Sequence, residues 1–172
     1  GDNAVSLVQG NIIRNAGYDG VEVNGTAKVA LIENSIAGSS ELGIDLNNDG
    51  VTGNDSPDND SGPNELLNFP VINAVAVDGM AINFDLDLDV PANTNGYRIE
   101  FFRNSGLVTD HGEGEIYLGF FDTGDHSGGS VKYTGTFTSA VIVARGDTIS
   151  STTTRKTGAN SYDITSEFSL NY

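Results

Sequence analysis

The 172-residue chain has no cysteine and no tryptophan, one methionine and four prolines, and only eight Lys and Arg against 24 Asp and Glu. Without cysteine there is no thiolate metal site, no thiol nucleophile and no disulfide framework. The formal charge of −16 excludes the positive surface that a nucleic-acid binder or a partner of anionic lipid needs. No apolar run approaches the roughly 20 residues of a membrane helix, so no membrane insertion is expected. The chain opens on Gly1-Asp2-Asn3 without a leader pattern, which reads as a mature or excised piece. No segment carries a convincing helical period. What is present is Gly, 22 residues of it, with abundant Asn and Asp between short apolar runs.

Self-similarity organises the first part. Residues 8–23, VQGNIIRNAGYDGVEV, and 31–46, LIENSIAGSSELGIDL, superimpose with a shift of 23. Val8 falls on Leu31, Asn11 on Asn34, Ile13 on Ile36, Gly20 on Gly43, Val21 on Ile44 and Val23 on Leu46. Each unit holds short apolar strands separated by polar turns, the pattern of stacked coils in a parallel β-helix. Asn11 and Asn34 would occupy equivalent bends, where Asn tolerates left-handed backbone. Two such coils bury their faces only against neighbours, so the expectation is a cap on one side and more of a longer parent chain upstream.

Residues 45–65, DLNNDGVTGNDSPDNDSGPNE, are almost wholly Asp, Asn, Gly, Ser and Pro. No basic residue lies between Lys28 and Arg98, so nothing local neutralises the run. Asp45-Leu46-Asn47-Asn48-Asp49-Gly50 matches the first half of a D-x-[DN]-x-[DN]-G calcium loop, in which alternate residues present oxygens and the Gly allows a sharp turn. The twelfth position is Ser56 instead of a bidentate Glu, and no helices flank the loop. The expected ligands are Asp45, Asn47, Asp49, the Val51 carbonyl, Asp55, Asp58 and Asp60, a hard-oxygen set suited to Ca²⁺. Over about 16 residues the spacing resembles thrombospondin type 3 repeats and the dockerin half-loop.

From Phe69 onward β-rich runs recur: 71–77, 80–88, 97–102, 116–121, 131–137, 140–144 and 164–170. In 80–88 the residues Ile82, Phe84, Leu86 and Leu88 alternate with Asn83, Asp85 and Asp87, a half-buried antiparallel strand. Seven such runs divided by turn residues predict a β-sandwich. The fold expected is therefore all-β: terminal coils of a right-handed parallel β-helix (1–46), an acidic calcium-binding linker (47–68) and an antiparallel β-sandwich (69–172).

The segments GIDLNNDGVTGNDSPDNDSGPNELLNFPVI, GYRIEFFRN, GEGEIYLGFF and TSEFS closely resemble a recurring bacterial module found at the C-terminal ends of right-handed parallel β-helix repeat regions in large secreted or surface proteins. The matching positions are Gly43 to Asp45, Gly50, Asn54, Asp55, Asp58, Asp60, Gly62 to Asn64 and Asn68 to Val71, then Ile99 to Phe102, Gly112 to Gly114, Leu118, Gly119 and Thr165 to Ser169. The resemblance spans most of the chain from Asn11 and implies a β-helix end, a linker and a sandwich, with no nameable enzymatic activity. One departure is the long Ser/Thr stretch Thr148 to Thr157, where the module has a short turn.

Other candidates are weaker. Asp19, Glu22 and Glu41 on the coils are possible glycosidase acids, but surface acids are ordinary in so acidic a chain. His111 and His126 lie in Gly/Asp-rich loops that offer neighbouring carboxylates to a transition metal. Tyr97, Tyr117 and Tyr133 fall on expected strands, where a shared face would stack on sugars. Lys28, Lys132 and Lys156 raise the idea of a Lys–Asn isopeptide crosslink with no specific pair marked. The function expected is a non-enzymatic, calcium-stabilised structural or adhesion-type module, secreted or on the bacterial cell surface, that caps a β-helix. Its partners would be the upstream parent chain and a surface polysaccharide. The alternative is a carbohydrate-binding module, or a fragment, of a polysaccharide-degrading enzyme.

Overall fold

The computed structural model describes residues 5–105 and 110–172. Among these every regular element is β except a 3₁₀ turn at Pro63–Leu66. The first six strands are short: β1 (Val5–Gln9), β2 (Ile12–Arg14), β3 (Val21–Val23), β4 (Lys28–Ile32), β5 (Ser35–Ala37) and β6 (Ile44–Leu46). They pair in parallel as β1 with β4, β2 with β5 and β3 with β6, joining Val5 to Lys28, Ile12 to Ser35 and Val21 to Ile44. The shift of 23 that aligns the sequence repeat is therefore also the spatial register. Asn34 bridges the two turns of chain at one bend: its side chain accepts from Asn11 N at 3.0 Å and donates to Val8 O at 2.8 Å. Gly20 allows the close approach at another, since a Cβ there would lie 2.4 Å from Ile36 Cγ2.

The remaining strands are antiparallel and form two facing sheets. One holds β7 (Val71–Asp78), β8 (Ala81–Val90) and β11 (Gly129–Thr138) in the order β11-β8-β7. The other holds β9 (Tyr97–Asn104), β10 (Ile116–Asp122), β12 (Thr148–Gly158) and β13 (Ser161–Thr165) in the order β10-β9-β12-β13. Alternation in β8 sends Phe84, Leu86, Leu88 and Val90 inward against Tyr97, Ile99 and Phe101 of β9, the usual way two inner faces make a sandwich core. The Phe84 and Phe101 rings lie 5.0 Å apart, and Phe101 stacks on Phe137 at 4.9 Å.

The four-stranded sheet is covered on its second face as well. Phe102 and Phe168 join Val23, Leu31, Ile36, Ile44 and Leu46 of the parallel-paired segment in a second apolar cluster. This explains why Tyr97–Phe102 shows no exposed position: both faces of β9 are packed, as in strands at the centre of a layered structure. Close packing also accounts for three glycines of the sequence motifs. A Cβ on Gly43 or Gly114 would press within 2.8 or 2.6 Å of the Phe168 ring, and one on Gly112 within 2.3 Å of Ser150 Cβ.

Three strand expectations change. Of 164–170 only Ile164 and Thr165 lie in a strand, β13, which begins earlier at Ser161. Residues 140–144 form a turn, not a strand: Ser139 Oγ bonds both N and O of Val141, Val141 and Val143 pack on the core, and Ile142 points outward. The Ser/Thr stretch instead supplies β12, an eleven-residue strand between β9 and β13 with Ser150 to Thr154 fully buried. Thr is a good strand former, and several of these hydroxyls find partners: Ser150 Oγ donates to Glu113 O at 2.6 Å and Thr154 Oγ1 meets Thr165 Oγ1 at 2.8 Å.

Phe168 is 3% exposed and meets Phe102 edge-on at 5.3 Å within the second cluster. Phe168→Ala is expected to cost about 3–5 kcal/mol, read as a lower urea midpoint with an unchanged slope.

Candidate functional site

Parallel pairing satisfies one side of each strand and leaves a row of N–H and C=O groups on the other. On the downstream side of β4, β5 and β6 those groups are buried, and side chains from distant segments fill them. Asn64 acts as a surrogate strand residue beside β4. Its Oδ1 accepts from Val29 N at 2.7 Å, and its Nδ2 donates to Val29 O at 2.9 Å and Thr165 O at 2.7 Å. Two residues on, Leu31 N donates to Thr165 Oγ1 at 2.8 Å. Two further, Glu33 N donates to Glu100 Oε2 at 2.9 Å. The spacing of two follows from the strand, whose N–H groups point alternately to either side.

The same device closes β5 and β6. Ile36 N donates to Gly114 O at 2.8 Å, and the Glu113 carboxylate takes Gly38 N and Ser39 N, each at 2.8 Å. Leu46 N and Thr52 N donate to the two oxygens of Glu167 at 2.9 Å. Asn64, Glu100, Glu113, Thr165 and Glu167 are all buried. An unsatisfied buried N–H costs about 1–3 kcal/mol, so each acceptor offsets a penalty that parallel pairing alone would leave. Sequence reasoning assigned none of these five a role. The available signal was a carboxylate inside an apolar run, and only Glu100, in Ile99-Glu100-Phe101-Phe102, carries it.

The residues expected to bind calcium fall into two groups. Asp45 is buried at the exit of β6, where its two oxygens accept from Asp49 N at 3.3 Å and Gly50 N at 3.0 Å. Asn47 Nδ2 donates to Asp49 Oδ2 at 2.9 Å, and Val51 is exposed. Positive φ at Asn47, Asn48 and Gly50 makes the turn. Asp55, Asp58 and Asp60 come together separately, with ligand oxygens all within 4.8 Å of one another. Among the described residues theirs is the one grouping of three acids, histidines or cysteines so close. Burial and the neighbouring acids push Asp58 up to about 6, against the hydrogen bond from Asn68 N.

Amide side chains order the linker. Asn54 exchanges two bonds with the backbone of Phe69, and Asn68 accepts from Asp55 N while donating to Asp55 O and Asp89 O. Glu65 gathers the cations Lys28 and Arg155, and Arg155 also holds Asp163 at 2.6 Å. Its carboxyl is accordingly held below the usual range, chiefly by Arg155.

The other candidates are dispersed. Asp19 accepts from Leu42 N at 2.8 Å, and Glu22 is bonded by Asn24. His126 is buried between the Tyr133 hydroxyl at 2.7 Å and Val90 O at 3.2 Å, while His111 sits against Phe168 O at 3.0 Å and the Phe69 ring. Tyr97 is fully buried, Tyr117 packs on Phe102, and Tyr133 lies on the opposite sheet. Lys28, Lys132 and Lys156 each pair with a carboxylate, those of Glu65, Asp85 and Asp122. Searches against protein-family models and curated proteins find no match.

Burial pushes the Glu100 carboxyl up to about 8 and that of Glu167 up to about 7, because it disfavours the charge. A group raised above its unfolded value near 4.5 binds more protons folded than unfolded. Its stabilisation is complete below that value and is lost as the pH rises through the folded one. Stability should therefore fall between pH 5 and 8 in buffered urea titrations. Glu100→Gln, which keeps an acceptor for Glu33 N, should flatten the upper half of that decline.

Proposed function

We propose that this chain is a non-enzymatic end module: two terminal coils of a right-handed parallel β-helix, closed downstream by a β-sandwich and open upstream to further coils of a longer parent chain. The observation that carries the reading is the asymmetry of the parallel-paired segment. Its downstream edge is filled by Asn64, Glu100, Glu113, Thr165 and Glu167. Among the described residues no strand pairs with the upstream side of β1, β2 or β3. A stack sealed at one end and bare at the other is what a solenoid terminus requires. A secreted or bacterial cell-surface setting, with structural or adhesive duty, fits the acidic, cysteine-free composition. Of the candidate glycosidase acids, Asp19 accepts from Leu42 N and Glu22 from the Asn24 side chain, which favours this reading over a polysaccharide-degrading fragment. The dispersal of Tyr97, Tyr117 and Tyr133 favours it over a carbohydrate-binding platform.

A copy of residues 5–27 grafted ahead of Val5 would supply one more coil in register. It should raise the melting temperature by several degrees and protect β1 amides from exchange, whereas a scrambled 23-residue graft should do neither. Equal behaviour of the two grafts would overturn the reading.

Calcium is the second element of the proposal, favoured by the convergence of Asp55, Asp58 and Asp60. Three carboxylates offer the hard oxygens Ca²⁺ takes, with water or carbonyls completing the shell, and the ion would relieve their mutual repulsion. Asp45 and Asp49 bound the neighbouring turn and would contribute less, since each oxygen of Asp45 already accepts a backbone N–H. Millimolar Ca²⁺, but not Mg²⁺, should raise the melting temperature over that in EDTA, and Asp58→Asn should remove most of the increment. Identical melting in Ca²⁺ and EDTA would sink the calcium element and leave the closure intact.

A further inference from the structure

The open strand β7 borders an apolar groove that the closure of the coils does not use. β7 is an edge of its sheet, and from Val71 to Val77 it reads VINAVAV, with no charge and no proline. Natural edges are normally guarded by Lys, Pro, charge or a covering segment. Here Pro70, a bulge at Asn73 and Asp78 guard the two ends of the strand, leaving Ala74 to Val77 in regular, uncharged register. Along that edge runs a cavity of about 510 Å³ between β7 and the 142–149 segment, with Val77, Ile142 and Tyr172 in its walls. A second, of about 170 Å³, continues past Val71 and Leu170 and shares Tyr172. All five of these side chains are more than 40% exposed.

The charge at the rim is equally specific. Arg145 lines the groove at the Val77 end, is exposed, and makes no ion pair among the described residues. The nearby Asp147 is taken by Arg103 at 3.5 Å and by Ala144 N at 2.7 Å. In a chain of net charge −16, an unpaired guanidinium beside an unguarded apolar edge marks where an acceptor is wanted.

We infer that β7 receives an extended segment of a separate polypeptide as an added antiparallel strand. Its apolar side chains, at alternate positions, enter the groove, and a carboxylate near its N-terminus meets Arg145. Main-chain hydrogen bonds to an edge give such binding its affinity, and pockets for alternate side chains give it selectivity. Antiparallel addition, the more stable pairing, brings the start of the partner to the Val77 end.

The probe is the peptide acetyl-Asp-Thr-Val-Thr-Val-Thr-Val-Ser-amide, with an Asn-first counterpart, titrated into ¹⁵N-labelled full chain. Amide shifts confined to Ala74–Val77 and 142–145, with a Kd of about 10⁻⁴–10⁻³ M, are expected. Arg145→Glu should weaken the Asp peptide about fivefold or more and leave the Asn peptide unchanged, and Ile142→Asp, also at an exposed position, should abolish both. The inference is overturned by no shift at about 2 mM peptide, by shifts on β1–β3 instead, or by the same shifts appearing with protein concentration alone, which would mean a second copy occupies the edge.

Discussion

Every backbone N–H taken out of water must find an acceptor, and a parallel pair of short strands cannot supply its own. That constraint shapes this molecule more than any apolar contact does. Three strands of three to five residues present their downstream edge to the interior, and there is no further coil to pair with it. The chain answers with side chains: an amide that imitates a strand, a threonine hydroxyl and three carboxylates, each set on an element whose position the sandwich fixes. The four-stranded sheet is the middle layer of three: it carries Glu100 and Thr165 and is packed on both faces. Interior carboxylates are costly to charge, yet they serve here because two oxygens can take two N–H groups at once, as Glu113 and Glu167 do.

The apportioning of charge follows from the same requirement. The few cations are concentrated where acids are half-buried: Arg98 and Lys156 on Asp122, Lys28 and Arg155 on Glu65. The acids of 45–60 receive none. Asn54 and Asn68 hold that segment in place without neutralising it, which is why the three clustered aspartates remain the natural seat for a divalent ion under the proposal above.

Much of the architecture was legible in the residues. The 23-residue self-similarity located the parallel pairing to the register, because equivalent residues in stacked turns must be chemically alike. Alternation located β8, since period-two hydrophobicity survives when one face is wet. The reading failed where polarity and burial part company. Thr148 to Thr157 stood out only as a departure from the module's short turn, yet the stretch is a central strand whose β-branched residues pack well. Residues 140–144 looked like a strand because they are apolar, yet two valines suffice to pin a turn to the core. For the site, spacing pointed to Asp45–Asp60, while the residues that close the coils lay scattered over a hundred positions. Only Glu100, an acid flanked by isoleucine and phenylalanine, stood out by its neighbours.

The bond between Leu31 and Thr165 spans 134 positions. A ribosome delivers the coil residues long before it delivers the segment that seals them. During that interval β4, β5 and β6 are sticky strands whose correct neighbours do not yet exist, the condition under which chains find wrong ones. Contacts so remote in sequence also form slowly. The dense Asn, Asp and Gly around these strands thus carry a second duty in the nascent chain: they keep it dispersed until its own far end arrives.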